Sequence, residues 1–236
     1  MKQVYLIHEG HPCLLLFFAG WAADATPFRS YRPEGMDYMI VYDYRSLDFD
    51  LSALDRYQAV HVLGWSMGVW AAARVLSSLS RQQRRCIAST TACGGTTRPI
   101  DNREGIPEAL FEGTLNGLTP VTLQKFLRRM CGSSAAYKAF MQVTPRRDFE
   151  EIREELRLIR VYYEAERTEA EAGGLSLPGR TYDRAYIGSR DAIFPPENMT
   201  AHFTEAGCPE VRTVDCAHYD EPLFRYLLEE RWKATH

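Results

Sequence analysis

The chain has 236 residues, of which 45% are hydrophobic and 25% charged, and its formal net charge is -3 at pH 7. These values are ordinary for a globular protein, and the length suits one domain with a single core. The small net negative charge does not indicate a nucleic-acid partner. No apolar run is long enough to span a bilayer. The first residues lack the apolar stretch of a signal peptide, so we expect a cytoplasmic protein.

Apolar runs predict strands that alternate with helices. In chain order the predicted strands are residues 3–8, 13–18, 38–42, 59–65, 86–90, 184–188 and 210–214. The second run is continuously apolar, which is typical of a strand covered on both faces of a parallel sheet. We interpret Glu9-Gly10-His11 as a hairpin connection between the first two strands. The pattern predicts an α/β fold with a mostly parallel central sheet and helices on both faces.

The middle of the chain shows helical periodicity and no convincing strand. Helices are predicted at residues 67–79, 107–116, 120–130, 134–143, 148–172 and 221–232, the first of them ended by the polar run at 80–84. We interpret residues 96–174 as a helical cap inserted into a single domain, with a hinge at Gly173-Gly174. The core of that domain would then comprise residues 1–95 and 175–236.

A candidate nucleophile lies in Gly64-Trp65-Ser66-Met67-Gly68, between a predicted strand and a predicted helix. A Ser on such a turn adopts a strained backbone conformation that requires small flanking residues, and its hydroxyl is presented at a helix N-terminus. The G-x-S-x-G pattern by itself is weak, because it also recurs by chance in unrelated chains. The strand before it and the helix after it favour a nucleophilic Ser66 over a surface turn that happens to contain a Ser.

A nucleophilic Ser needs a base and an acid that orients the base, and in α/β-hydrolases these follow the Ser in the order acid, then His. Asp191 follows the sixth predicted strand, at the carboxyl edge of the sheet where such folds build sites. His218 lies downstream of Asp191 and just after the last predicted strand. Asp43 precedes Ser66, so we expect it to be a loop carboxylate. The pattern predicts acyl transfer with Ser66 as nucleophile, His218 as base and Asp191 as orienting acid.

The tetrahedral intermediate of such a reaction needs hydrogen-bond donors for its oxyanion. The backbone N–H of Met67 is well placed, because it follows the nucleophile at the start of a helix. A second donor is expected from the turn after the second strand, Ala19-Gly20-Trp21-Ala22, with Trp21 as the donor. The alternative interpretation of Gly20-Trp21 as a tight turn with a core Trp is compatible with this role.

With these positions identified, the chain resembles the BioG-type pimeloyl-acyl-carrier-protein methyl ester esterases of biotin synthesis, within the α/β-hydrolases. The matching segments are Phe18-Ala19-Gly20-Trp21, Tyr42-Asp43-Tyr44, Gly64-Trp65-Ser66-Met67-Gly68-Val69-Trp70, Gly188-Ser189-Arg190-Asp191 and Ala217-His218. The first and third of these segments are distinctive, whereas the last two are generic to the fold.

The resemblance implies that Ser66, Asp191 and His218 form the triad and that Trp21 and Met67 supply the oxyanion-hole amides. It also implies a substrate, the methyl ester at the far end of a pimeloyl chain carried on acyl carrier protein, and neither a cofactor nor a metal. The six cysteines, which lack C-x-x-C spacing, likewise predict no metal site. Two alternatives stay open: a carboxylesterase or acyl thioesterase for small substrates, and a non-catalytic interaction protein of the same fold.

The predicted cap is locally basic, because residues 121–147 contain six basic and no acidic residues. Acyl carrier proteins are strongly acidic, so a basic rim around a cleft would bind one in a salt-dependent way. The alternative is a solvated helix face that the following acidic residues partly neutralise. Stacking aromatic residues are not interleaved with the charges, so nucleic acid is not expected. The basic residues predicted to bind the carrier are Lys125, Arg128, Arg129, Lys138, Arg146 and Arg147.

Overall fold

The computed structural model describes residues 1–172 and 182–233, and a seven-stranded sheet forms the centre of this part of the chain. The order of the strands across the sheet is β1-β3-β2-β4-β5-β6-β7; β1 is antiparallel to β3, and all other neighbours are parallel. The mostly parallel α/β sheet predicted from the sequence is therefore confirmed. The strands are β1 (Lys2–Ile7), β2 (Cys13–Phe18), β3 (Met36–Tyr42), β4 (Ala59–Trp65), β5 (Ile87–Cys93), β6 (Arg184–Gly188) and β7 (Glu210–Val214).

The centre of the core is β2, whose residues 14–18 are all at most 1% exposed. Successive side chains of a strand point to opposite faces, so complete burial means that both faces of β2 are covered. On one face Phe17 packs edge-on against Phe28 and Phe224. On the other face Phe18 contacts Phe49. The carboxyl ends of β2 and β4 are thereby held rigidly side by side.

The hairpin predicted at residues 9–11 is wrong, because β1 pairs with β3 and not with β2. The buried carboxylate of Asp37, on β3, explains this connection. Its Oδ1 accepts the backbone N–H groups of residues 9, 10 and 11 at 2.9, 3.1 and 3.2 Å. Its Oδ2 accepts from Tyr57 Oη and Arg56 Nη2. These bonds hold the connection against β3, which is the strand that β1 pairs with.

The helix after β4, α1 (Met67–Ser78), ends one residue before its predicted end. The polar run after it was predicted only as a helix terminator, but it forms the short helix α2 (Arg81–Cys86). A reciprocal capping box between Ser80 and Gln83 explains this helix, since it satisfies backbone donors at the helix start. As a result β5 begins at Ile87, one residue later than predicted.

Between β5 and β6 the described residues form helices and one isolated bridge, Ile100 with Ile106, but no named strand. We call residues 108–171 the helical segment. Its last helix is long, and Asp148 caps the helix by accepting the N–H of Glu150. The predicted hinge Gly173-Gly174 lies outside the described residues, and the division into core and cap stays a prediction. The helices of the segment are α3 (Glu108–Asn116), α4 (Pro120–Cys131), α5 (Ser134–Phe140) and α6 (Phe149–Glu171).

The remaining helices follow β6 and β7. They are α7 (Pro196–Glu205) and α8 (Glu221–Leu228), and a 3-10 turn at Glu230–Trp232 follows α8. The single helix predicted for 221–232 is interrupted, because Trp232 Nε1 donates to the carbonyl of Leu227 at 3.0 Å and its ring packs on His61. None of the helices within residues 1–172 and 182–233 combines the length and apolarity needed to cross a membrane.

Candidate active site

Ser66 lies on a strained turn between β4 and α1. Its φ of 58° and ψ of -127° are rarely adopted by a residue other than Gly. The turn is packed so tightly that a Cβ on Gly68 would lie 2.1 Å from the carbonyl oxygen of Phe18. The N–H of Ser66 donates to the Cys93 carbonyl at 3.0 Å. The elbow is therefore clamped between the carboxyl ends of β2 and β5.

His218 and Asp191 form a buried hydrogen-bonded chain with Ser66. The distance from His218 Nε2 to Ser66 Oγ is 3.0 Å, and that from His218 Nδ1 to Asp191 Oδ2 is 2.7 Å. The side chains of His218 and Asp191 are at most 1% exposed. An ionised carboxylate can only accept, so we assign the imidazole proton to Nδ1, which leaves the Nε2 lone pair facing the Ser66 hydroxyl.

Residues of the core hold the His–Asp pair in place. Asp191 Oδ1 accepts the backbone N–H groups of Ile193 and Phe194 at 2.8 and 2.9 Å, which fixes the carboxylate. Trp65 Nε1 donates to the carbonyl of His218 at 3.0 Å. A Cβ on Gly94 would lie 3.4 Å from His218 Nδ1, so the loop after β5 covers the pair on one side. The arrangement leaves little freedom for the imidazole to turn.

Cys216 also lies close to this chain, but it does not have the properties of a nucleophile. It is 2% exposed, and burial raises the pKa of its thiol to about 12. Burial is the largest cause of this rise, and the nearby carboxylates Asp220 and Asp191 contribute to it. A thiol with such a pKa stays protonated near neutral pH and is unreactive. These properties are those of a small core residue.

The two predicted oxyanion donors belong to two segments that meet at Ser66. Met67 is the first residue of α1, and Trp21 is in the turn after β2. A Cβ on Gly20 would lie 3.1 Å from the Ser66 Cβ, so this turn passes directly against the nucleophile. Within the described part of the chain, neither the Trp21 nor the Met67 backbone N–H donates a hydrogen bond. Both amides are therefore free to bind an oxyanion.

A cavity extends from Ser66 and His218 into the helical segment. The space between its lining residues that is not filled by atoms is about 660 Å³, and this volume includes solvent at the open side. Among the described residues that line it, Arg129 is the charged one. An apolar cavity with a few convergent polar groups at one end suits a ligand with an aliphatic chain. Its apolar lining includes Ile106, Leu110, Phe111, Phe126, Met130 and Leu156.

Three of the six predicted carrier-binding residues, Lys125, Arg128 and Arg129, line one groove on the outer side of α4. The groove adjoins the cavity, since Arg129 and Ala192 line both. Arg190, which is not among the six predicted residues, lines the same groove and pairs with the exposed Asp215 at 2.6 Å. We call Lys125, Arg128, Arg129 and Arg190 the basic groove. Lys138 and Arg146 are exposed but line neither the groove nor the cavity.

Arg147 does not fit its predicted role in carrier binding, because its side chain is only 4% exposed. It pairs with Asp43 at 3.0 Å and with Glu155 at 2.5 Å, so its charge stabilises the junction of β3 and α6. Asp43 is a loop carboxylate, as expected, but a buried one. Burial opposes its ionisation, yet Arg45, Lys2 and Arg147 together hold the pKa of Asp43 well below its usual range.

Comparison with known proteins identifies the family. The sequence model of the family described as "Pimeloyl-ACP methyl esterase BioG" matches residues 1–231. The chain belongs to the BioG family. It is similar to the crystal structure of BioG from Haemophilus influenzae, with a TM-score of 0.81 and 34% identity over 98% of this chain and 100% of that one. An esterase from Exiguobacterium antarcticum, at 13% identity and a TM-score of 0.65 over 92% and 87% of the chains, shares the fold alone.

One BioG relative has a name that describes a different reaction. The chain is 46% identical over 213 residues to a Bacteroides fragilis protein named "Malonyl-[acyl-carrier protein] O-methyltransferase". The match covers 89% of this chain but only 40% of that protein, so the chain spans less than half of this relative. Membership of the BioG family, together with the fold, assigns the chain to the hydrolases of the α/β-hydrolase fold.

Proposed function

We propose that the protein is a cytoplasmic serine carboxylesterase that hydrolyses the methyl ester of pimeloyl-acyl-carrier-protein methyl ester in biotin synthesis. The observation that carries the proposal is the hydrogen-bonded chain of Ser66, His218 and Asp191 at the end of an apolar cavity. Membership of the BioG family supports the substrate. The free amides of Trp21 and Met67 beside Ser66 support acyl transfer as the reaction type.

In the first half of the reaction, Ser66 Oγ attacks the ester carbonyl carbon while His218 Nε2 takes the hydroxyl proton. Asp191 stabilises the imidazolium that forms, and the Trp21 and Met67 N–H groups bind the oxyanion. The tetrahedral intermediate then expels the methoxy group, which receives the proton from His218 and leaves as methanol. The pimeloyl chain is now esterified to Ser66.

In the second half, a water molecule attacks the acyl-enzyme. His218 takes one proton from the water, and the resulting hydroxide forms the new bond to the carbonyl carbon. The same two amides bind the second oxyanion. Its collapse breaks the bond to Ser66 Oγ, which recovers its proton from His218. The product is a free carboxylate at the end of the carrier-bound chain.

The cavity and the basic groove together support a carrier-bound substrate. The aliphatic chain would lie in the cavity with its methyl ester at Ser66, and the helical segment would act as the cap that covers it. The acidic carrier would stay outside, against Lys125, Arg128, Arg129 and Arg190. The groove and the cavity share Arg129, so a chain attached to a carrier in the groove can enter the cavity at this point.

The proposal is tested by incubating the purified protein with pimeloyl-carrier methyl ester and following the loss of the methyl group by mass spectrometry. Wild type should produce the free acid, and Ser66→Ala should lower kcat by about 10⁴-fold or more, because the nucleophile is lost. A fluorophosphonate probe should label wild type at Ser66 and leave Ser66→Ala unlabelled.

Other outcomes would identify the alternatives. Equal or faster hydrolysis of a small free ester or acyl thioester, compared with the carrier-bound ester at equal concentration, would contradict carrier specificity. Absence of both labelling and hydrolysis in the wild-type protein would favour a non-catalytic interaction protein. Full activity of Ser66→Ala would rule out the proposed mechanism.

A further inference from the structure

A buried carboxylate interrupts the apolar face of α6. The residues of this helix that lie inward are Ile152, Glu155, Leu156, Ile159 and Tyr163, and Glu155 is 0% exposed. Burying a carboxylate is costly unless it is paired and hydrogen-bonded. An apolar residue at this position would pack without that cost, so the contacts of Glu155 should explain its presence.

Glu155 uses both oxygens to bind loops at the carboxyl edge of the sheet. Its Oε2 accepts the backbone N–H of Ala22 at 3.2 Å and pairs with Arg147 at 2.5 Å, and its Oε1 accepts the N–H of Tyr44 at 2.8 Å. Tyr44 in turn donates its hydroxyl to the carbonyl of Ala19 at 2.6 Å. The turn at residues 19–22, which contains the proposed oxyanion donor, is thus held at both ends.

The turn needs such support, because its backbone is strained. Ala22 has a φ of 65°, in the left-handed region that an L-residue with a Cβ rarely adopts. The N–H of Ala23 donates to the carbonyl of Gly20 at 3.2 Å, and a positive φ at the third position is typical of a type II turn. In the planar trans peptide between Gly20 and Trp21, the N–H of Trp21 points opposite to that bound carbonyl.

We propose that Glu155 is a positioning residue for the oxyanion hole, since its hydrogen bond to the Ala22 N–H holds the turn in the strained conformation that presents the Trp21 N–H. This inference rests on the proposed function. Without the bond, Ala22 can relax to a negative φ, which turns the peptide between Trp21 and Ala22 and changes the backbone angles of Trp21. The Trp21 N–H is then no longer fixed in the direction of the oxyanion. Glu155 itself contacts no reacting atom in this scheme, so it acts only through the turn.

The test compares Glu155→Gln with Glu151→Gln. Glu151 is on the same helix, bonds Arg45 at 2.8 Å and lies 4.0 Å from Arg147. Among the described residues, no hydrogen bond or ion pair joins Glu151 to the turn. Both variants therefore remove one carboxylate charge from the same ion-pair cluster. On a short chromogenic ester, Glu155→Gln should lower kcat about 10- to 100-fold with KM changed by less than about 2-fold, because acylation and deacylation both use the oxyanion hole.

A second measurement separates positioning from a merely structural effect. A trifluoromethyl ketone adds to the Ser66 hydroxyl and leaves an oxyanion at the donors, so Glu155→Gln should weaken its inhibition by a factor similar to the loss in kcat. Glu151→Gln should keep both values within about 2-fold of wild type. A folded Glu155→Gln with unchanged kcat and unchanged ketone inhibition would overturn the inference.

Glu155→Asp covers the case in which Glu155→Gln does not fold. The Asp side chain keeps the negative charge beside Arg147 but is too short to reach the Ala22 N–H. The variant should therefore fold, and its kcat should still be lower than that of wild type. If both Glu155 variants fail to fold while Glu151→Gln folds, Glu155 serves the ion pair alone and the inference is wrong. Failure of the proposed function would be seen separately, as absence of Ser66-dependent hydrolysis in the wild-type protein.

Discussion

The two halves of the candidate site are held by different parts of the molecule. On the His218 side the contacts of the base itself come from the core, with Trp65 bonded to the His218 carbonyl and Phe194 stacked parallel to the imidazole. The next residue, Tyr219, also donates its backbone N–H to the Met130 carbonyl of α4 at 3.0 Å. On the oxyanion side Tyr44 of the core bonds the Ala19 carbonyl, and the helical segment holds the rest of the turn that contains Trp21. Trp21 Nε1 donates to the Ile152 carbonyl of α6 at 2.9 Å, in addition to the bond between Ala22 and Glu155.

From these contacts we expect that proton transfer and oxyanion stabilisation can be altered separately. A shift of α6 would move the turn that contains Trp21 and leave the contacts of His218 with Asp191 unchanged.

The largest effect is expected on the core-held half, from Asp191→Asn. The amide cannot serve as the anionic acceptor of the Nδ1 proton, so the imidazole takes the wrong tautomer and is not stabilised as imidazolium. We expect kcat to fall about 10³- to 10⁴-fold, measured on the chromogenic ester.

The control for that variant is Asp215→Asn, an exposed carboxylate that pairs with Arg190 in the same region of the surface. This substitution should leave kcat on the chromogenic ester within about 2-fold of wild type, since surface ion pairs contribute little. Thermal unfolding of both variants should show whether they remain folded. If a folded Asp191→Asn kept more than about a tenth of the wild-type kcat, Asp191 would not be the orienting acid.

A pair of Trp variants should show the separation between the halves directly. Trp65→Phe and Trp21→Phe each remove one indole hydrogen bond, one to the core-held half and one to the segment-held half. A hydrogen bond of this kind is worth about 1 kcal/mol, so each variant should lower kcat about 3- to 10-fold. In the double variant of Trp65→Phe with Glu155→Gln, the loss in kcat should equal the product of the two single losses. In the double variant of Trp21→Phe with Glu155→Gln, the loss should be smaller than that product, because both substitutions loosen the same turn.

The measurement is kcat of the two single variants and the two double variants on one ester. Strong coupling between Trp65 and Glu155, as large as that between Trp21 and Glu155, would mean that the two halves move together. In that case the contrast between core-held and segment-held contacts would have no mechanistic meaning.

The elements that the sequence predicted well depend on local pattern. Continuous apolar runs identified the strands, and the close packing around Ser66 needs Gly at positions 64 and 68, which the motif displays. The contact of Ser66 with His218 could be anticipated because parallel strands bring their carboxyl ends to one edge. Such reasoning requires no knowledge of how distant helices pack.

The contacts that were missed join side chains whose proximity only the tertiary packing decides. Glu155 bonds Tyr44 across 111 positions of the chain, and Arg147 looked like its exposed basic neighbours until its pairing with Asp43 was known. A signal for Glu155 did exist, since it interrupts an apolar stripe at helical spacing on α6. No comparable signal pointed to Arg190, whose place in the basic groove depends on how α4 packs on the loop after β6.

The smallest effect is expected outside both halves, on the basic groove. Lys125→Gln and Lys138→Gln remove the same charge from the same helical segment, but only Lys125 lines the groove. For the carrier-bound ester, Lys125→Gln should raise KM about 3- to 5-fold at low ionic strength, and the difference should shrink at high salt as the charges are screened. Lys138→Gln should leave KM unchanged, and neither variant should alter kcat on a free short ester. Equal effects of the two variants would mean that the carrier responds to the overall charge of the segment and not to the groove, because a general field does not distinguish two exposed lysines on one surface.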